Sequence, residues 1–190
     1  MVKEYRIMKE LKQYILEKLR IPKPNNADTK EIIIAKDFHD LNRIIHNEIM
    51  KNGVHCSLNH IDISNVENMS YCFHNYNIRN FDGDISEWDV SHVRYMGAMF
   101  LESHFTGKYG DISAWDVSNV TDMHNMFDRS KYNGDISSWD VSHVINMDLM
   151  FARCKTFNND ISKWNINKKC TMNSTFLDSA LDKKYRPTKI

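Results

Sequence analysis

Apolar positions between residues 61 and 176 follow a compound pattern that is written five times along the chain. In its clearest copy they fall at Ile112, Trp115, Val117, Val120, Met123, Met126 and Phe127, with polar residues between them. The Trp slot is held by Trp88, Trp115, Trp139 and Trp164, and by Ile61 one copy earlier, at steps of 27, 27, 24 and 25 residues. Met follows eight residues after each slot (Met69, Met96, Met123, Met147, Met172) and Phe twelve after it (Phe73, Phe100, Phe127, Phe151, Phe176). One copy is too short to bury its own Trp, Met and Phe. Self-similarity at this period therefore predicts a stacked array in which neighbouring copies bury each other's apolar residues.

Within a copy, Ile85, Trp88, Val90 and Val93 stand at offsets of zero, three, five and eight. That spacing predicts a short strand with alternate side chains inward, extended by a tight turn; Val stands where leucine-rich repeats usually carry Asn or Cys. Val93, Met96, Met99 and Phe100 then recur at steps of three and four, which predicts a short helix with one apolar face. Ser91, Ser118 and Ser142 are placed to cap such helices, and Asp82-Gly83-Asp84, Asn133-Gly134-Asp135 and Asn158-Asn159-Asp160 supply turns into the next strand. The expected fold class is an α/β repeat, a leucine-rich-repeat-like solenoid of about five strand-helix copies over residues 59–176.

Ahead of the array, Ile32-Ile33-Ile34 predicts a strand. Asp37 begins a helix whose Phe38, Leu41, Ile44, Ile45 and Ile49 form one stripe, and Gly53 ends it. Residues 30–58 are thus expected to be an N-terminal strand-helix cap over the open end of the solenoid, where an exposed sheet edge would invite polymerisation. Tyr5, Met8, Leu11, Ile15 and Leu19 predict a preceding amphipathic helix over residues 1–20, opposite Lys3, Glu10, Lys12 and Glu17. This helix has three open destinations: its own domain, a partner chain or a membrane surface. Pro22 and Pro24 make residues 21–29 a linker, and residues 177–190 read as a basic C-terminal tail.

The phrase D-I-S-x-W-D-V-S-N-V-x-x-M-x-x-M-F resembles the repeat of BspA-like surface proteins, a leucine-rich-repeat-like family also seen in mycoplasma lipoprotein-type proteins and in large DNA viruses. The resemblance covers about residues 59–176. It implies a right-handed solenoid used for adhesion or protein binding, and it carries no catalytic residue to transfer. Ile61 in the first Trp slot, and Lys169 and Cys170 in the last copy, depart from the pattern at the ends of the array, where capping copies are atypical.

Charge refines this picture. Lys/Arg and Asp/Glu number 25 each, but residues 59–166 hold 8 basic against 15 acidic residues, between basic ends. An acidic array argues against nucleic acid as the main ligand, since phosphate binding needs a basic face. No long apolar run predicts a secretion signal or a transmembrane segment, so a cytoplasmic or virion location is expected, with the cell surface suggested only by the family resemblance.

Candidate chemistry centres on Asp62, Asp89, Asp116 and Asp140, each just after the Trp slot and so expected on the outward face. Three readings stay open: carboxylates that brace turns through the Ser two residues on, a partner-binding stripe together with Glu87 and Lys163, or a calcium ladder, for which one carboxylate per copy supplies few oxygens. Glu87, Ala114, Ser138 and Lys163 share one outward slot and differ, which is where partner specificity can be written. His55, Cys56, His60, Cys72 and His74 cluster in sequence without the paired spacing of structural zinc sites, so no metal is expected. No cofactor motif or nucleophile elbow is present, and the serines are accounted for as caps; the chain is expected not to be an enzyme. The expected function is a non-enzymatic module presenting its strand face to a protein of unknown identity. The alternative is a structural component of an assembly or homo-oligomer, such as a minor virion protein, attached through the Tyr5-to-Leu19 helix and the tail.

Overall fold

Asp37 starts the one α-helix among the described residues by accepting the backbone N–H of Asp40 on its side chain at 2.9 Å. This helix, α1 (Phe38–Asn52), buries Leu41, Ile44, Ile45 and Ile49 along one stripe and ends where Gly53, at φ 87°, donates back to the carbonyl of Ile49. Glycine meets no steric penalty in that left-handed region. The architecture comes from a computed structural model that describes residues 30–188. The expected helix of residues 1–20 and the linker 21–29 lie outside the described residues. Contacts gather the chain from Ile33 onward into one unit.

Two short strands, β1 (Ile33–Ile34) and β2 (Ile61–Asp62), pair in parallel with Ile33 opposite Ile61 and Ile34 opposite Asp62. These strands are only two residues long, and α1 precedes the repeats. The expected leucine-rich-repeat-like solenoid of strand-helix copies is therefore not formed. Each copy is instead a chain of tight turns whose first carbonyl accepts from the N–H three residues on: Ile112 from Trp115, Val117 from Val120, Met123 from Met126 and Phe127 from Ser130. The turn corners face inward, so Ile112, Trp115, Val117, Val120, Met123, Met126 and Phe127 are all buried.

A second feature stops the Met-Phe segment from becoming helical. Tyr71, Ala98, Asn125, Leu149 and Ser174, the residues two past the Met slot, have φ between 52° and 62°. Glu102, Arg129, Arg153 and Asp178, two past the Phe slot, have φ between 52° and 56°. Right-handed helix cannot propagate through such residues, and each costs roughly 1–2 kcal/mol relative to its ordinary conformation. What offsets the strain is pairing between copies. The N–H groups of Ala98, Phe100 and Glu102 donate to the carbonyls of His124, Met126 and Asp128 in the next copy, at 2.7, 3.0 and 2.9 Å. Isolated parallel bridges continue the register from Asn68 through Tyr95, Asp122 and Asn146 to Thr171.

Ser91, Ser118 and Ser142 accordingly cap no helix; their backbone N–H groups donate to Asp89, Asp116 and Asp140. A left-handed backbone also makes an unusual prediction. Ser174 is exposed at φ 55°, so Ser174→Gly is expected to be neutral or stabilising by up to about 1 kcal/mol in urea unfolding, as left-handed strain is released against glycine's entropy cost. In an exposed helix the same change costs up to about 0.5 kcal/mol, and such a loss would restore the helical reading.

Aromatic rings form the spine. Phe73, Phe100, Phe127, Phe151 and Phe176 stack with centroids 5.4, 5.6, 5.5 and 6.0 Å apart. Phe81, Phe105, Tyr132 and Phe157 form a parallel second column at 6.2, 6.0 and 6.3 Å. The two columns touch at 4.5–4.8 Å. Stacked rings of this spacing contribute about 0.5–1.5 kcal/mol per pair beyond the area they bury. Each Trp ties two copies together as well, its indole N–H reaching the carbonyl of Leu58, Ile85, Ile112 or Ile136 in the copy before at 2.9–3.3 Å.

Beyond Phe176 the chain remains bonded to the array. Ala180 donates to the carbonyl of Cys154, Ile161 donates to that of Tyr185, and Leu181 is buried. A short 3-10 turn (Lys183–Tyr185) then brings the Arg186 guanidinium over the Phe176 ring at 5.0 Å. That cation covers the last ring of the spine, which has no further copy to stack on.

Candidate functional surface

The aspartates of the outward slot are braces in this geometry. Asp62 accepts the N–H of Ser64 at 2.9 Å, Asp89 that of Ser91 at 3.1 Å, Asp116 that of Ser118 at 3.1 Å and Asp140 that of Ser142 at 3.0 Å. Asp89 also takes the Ser91 hydroxyl at 2.7 Å. Short polar side chains close such turns by bonding the backbone two residues on. A second set braces the turn that leads into the Trp slot: Asp84, Asp111, Asp135 and Asp160 accept from Ser86, Ser113, Ser137 and Ser162. Asp89, Asp116 and Asp140 stay exposed and Asp62 half-buried, so each carboxylate keeps a side towards solvent.

Bonding of this kind favours the ionised carboxylate and lowers its pKa. The Ser142 side chain and N–H hold Asp140 below its ordinary value of 3.8, the Ser137 N–H and side chain do so for Asp135, and Ser162 does so for Asp160. A carboxylate with a lowered folded-state value contributes stability that is present above the unfolded value and is lost as pH falls through the folded one. The melting temperature is expected to be insensitive to these groups above about pH 5 and to fall below about pH 4. Asp140→Asn should lower it at neutral pH and flatten part of that acid limb; an unchanged limb would remove the bracing role.

The remaining sequence candidates are dispersed. Glu87 and Lys163 are exposed in their shared slot, and the Glu87 N–H is held by the Asn59 side chain at 3.1 Å. Among the described residues no three His, Cys, Asp or Glu are grouped to hold a metal. His60 meets Glu48 at 3.1 Å, His74 meets the carbonyl of Leu101 at 3.0 Å, and Cys72 is fully buried, its thiol pushed well up by desolvation. His92 sits against the carbonyl of Ile63 at 2.9 Å. No helix among the described residues is long and apolar enough to cross a membrane. Tyr5, Met8, Leu11, Ile15 and Leu19 lie outside the described residues.

Two surface features go beyond the sequence expectations. Tyr71, Tyr76, Tyr95 and Tyr109 are 47, 76, 45 and 50 % exposed, and all four belong to the first two copies and their connecting loops. In later copies the slots of Tyr71 and Tyr95 hold Asn125 and Leu149, and Asp122 and Asn146. Tyr76 and Tyr109 sit in the extra residues that stretch two of the Trp steps to 27. That irregular spacing was the available signal. Both of these rings carry a cation, Arg79 over Tyr76 at 4.6 Å and the Lys108 ammonium over Tyr109 at 5.1 Å.

The second feature is a basic corner, where Arg79, His104, Lys131 and Lys155 follow one another in successive copies. The His104 N–H donates to the Arg79 carbonyl at 2.7 Å, and the Lys131 N–H to that of Ser103 at 3.0 Å. Lys155 follows Cys154, the counterpart of Ser103 and Ser130, whose thiol donates to the Ser130 carbonyl at 3.2 Å. Acids on the adjoining segments are already engaged: Glu102 by Arg129 at 2.7 Å, the buried Asp128 by Arg153 at 3.1 Å, and Asp82 by the N–H and hydroxyl of Thr106 at 2.8 and 2.9 Å.

A family model described as "Mycoplasma protein of unknown function, DUF285" matches residues 39–108 and again residues 102–185. No curated protein and no solved structure matches the chain. The two matched stretches run through the Trp-Val-Met-Phe copies and the helix ahead of them, and on that ground the chain belongs to the DUF285 family.

Proposed function

We propose that the chain is a non-enzymatic protein-binding repeat protein whose contact surface lies on its first two copies. The observation that carries this reading is the concentration of four exposed tyrosines between residues 71 and 109. Tyr presents a large, stiff, amphipathic surface at little conformational cost, and it is enriched at protein interfaces and their energetic centres. Support also comes from the array itself: its inward slots repeat Trp, Val, Met and Phe, while outward slots change from copy to copy, as with Glu87, Ala114, Ser138 and Lys163. The DUF285 family is associated with BspA-like repeat proteins and is itself of unknown function, so it supports the repeat character of the chain and leaves the binding role to the surface.

A photo-crosslinking residue placed at Tyr95 in the full chain, with the same residue at Asp160 as the distant comparison, tests this in cells. A discrete heavier adduct at Tyr95, absent at Asp160 and lost on Tyr71→Ala, is the expected result. Equal adducts at both positions would overturn the assignment of the surface.

A further inference from the structure

We infer that the basic corner formed by Arg79, His104 and Lys131 is the docking line for a short acidic segment of a partner protein, laid along the stack with about one carboxylate per copy. The inference rests on the protein-binding reading and names the chemistry of the partner.

Geometry comes first. The His104 N–H donates to the Arg79 carbonyl and the Lys131 N–H to that of Ser103, so His104 and Lys131 share one slot, while Arg79 is the counterpart of Ser103 and Ser130, one residue before that slot. The charges of Lys131 and Arg79 both reach the His104 imidazole. Parallel pairing separates neighbouring segments by about 4.8 Å, while alternate side chains of an extended peptide on one face stand roughly 6.6 Å apart. A peptide running obliquely along the stack can therefore meet successive cations with successive acidic side chains.

Charge decides the sign of the occupant. Among the described residues Arg79 and Lys131 form no ion pair, and the neighbouring carboxylates of Glu102 and Asp128 are held by Arg129 and Arg153. Burial, followed by the charges of Lys131 and Arg79, keeps the His104 imidazole below its usual range. The corner is thus a positive strip. Lys155 at its end is partly satisfied, since its ammonium donates to the carbonyl of Asp178 at 2.5 Å.

Length decides its class. The strip spans only three copies of an array with 15 acidic and 8 basic residues over 59–166. A long polyanion such as nucleic acid that met the strip would run onto repelling surface beyond it, and its affinity depends on many phosphate contacts at once. A short acidic segment fits within the strip. Tyr76, 76 % exposed beneath the Arg79 guanidinium, adds an apolar surface at the same end.

Titration of the full chain with N-acetyl hexaglutamate, followed by calorimetry and by NMR of the His104 imidazole, tests the inference. The expected result is saturable binding that weakens about tenfold in the double variant Arg79→Gln, Lys131→Gln and falls with added salt. The His104 pKa should rise on binding, because a nearby carboxylate favours the protonated ring. Circular dichroism of the double variant, whose changes lie at the surface, checks that it remains folded. Absence of saturable binding, equal binding by the folded double variant, or tighter binding of hexathymidylate than of hexaglutamate would each overturn the proposal. The tyrosine surface is separately accountable: a Tyr95 crosslink that survives the double variant while hexaglutamate fails to bind would sink the acidic-segment inference and leave the binding reading standing.

Discussion

Trp115→Ala is expected to destabilise the protein by about 3–5 kcal/mol in urea unfolding, the range for truncating a well-buried aromatic side chain. Trp115 is 5 % exposed and lies in the middle of the array, with a copy on either side. Its indole N–H also donates to the carbonyl of Ile85 in the preceding copy at 3.3 Å. Loss of that bond adds little, because the same carbonyl accepts from Trp88 N–H at 3.3 Å and is not orphaned. Most of the cost is therefore the lost apolar contact and the void left between two copies. Ser138→Ala, on an exposed position whose hydroxyl donates to the carbonyl of Ser113, should change stability by less than about 1 kcal/mol. A near-neutral Trp115→Ala would mean that the stack is held by its backbone pairing and not by its interior.

Tyr132→Phe is expected to act in the opposite direction and stabilise the protein by about 1–3 kcal/mol, the cost of a buried polar group left without a partner. Tyr132 is fully buried in the second aromatic column, between Phe105 at 6.0 Å and Phe157 at 6.3 Å, and it stacks on Phe127 at 4.6 Å. Its hydroxyl is the one buried side-chain polar atom among the described residues without a hydrogen-bond partner. Burial pushes the phenol far up, ahead of the charges of Asp111 and Asp135, so it stays neutral at ordinary pH. Phe occupies the same place in the other copies as Phe81, Phe105 and Phe157, which shows that the ring alone suffices for the column. Gly134 follows from the same crowding, since a Cβ there would stand 2.4 Å from the hydroxyl oxygen. Thermal and urea unfolding of Tyr132→Phe against the parent protein measures the effect. A loss of stability would show that the hydroxyl is satisfied in solution.

The inward residues were legible because burial leaves a periodic trace. Trp88, Trp115, Trp139 and Trp164 are 3–5 % exposed, and Met69, Met96, Met123 and Met147 are buried. What the trace did not distinguish was the backbone beneath it. A chain of turns that returns to the core every three residues places Met96, Met99 and Phe100 at the same steps as a helix does, so Val-x-x-Met-x-x-Met-Phe fits both. The deciding residues, Ala98 and its counterparts, adopt left-handed backbone that side-chain type does not announce; Tyr71 and Leu149 have no ordinary preference for it. The bracing aspartates were among the open readings because Asp-x-Ser is a local interaction, complete within three residues. The second aromatic column was visible as an aromatic three residues before Asp84, Asp135 and Asp160, but the three residues inserted after Phe105 break the pattern at Asp111.

By itself the sequence determined which residues are interior, that they recur in copies, and where α1 starts and stops. Those are properties of side-chain polarity and of local caps, and they need no partner distant in the chain. Tertiary structure alone decided that the copies pair with each other through backbone N–H groups instead of bonding inside themselves. It also decided that the two ring columns touch, and that Arg79, His104 and Lys131 meet at one corner. The pairing and the corner depend on hydrogen bonds between residues some 23 to 28 positions apart, while the columns touch through rings five to eight positions apart that only the stacking aligns; the strain of left-handed residues is tolerated because neighbouring copies supply those bonds.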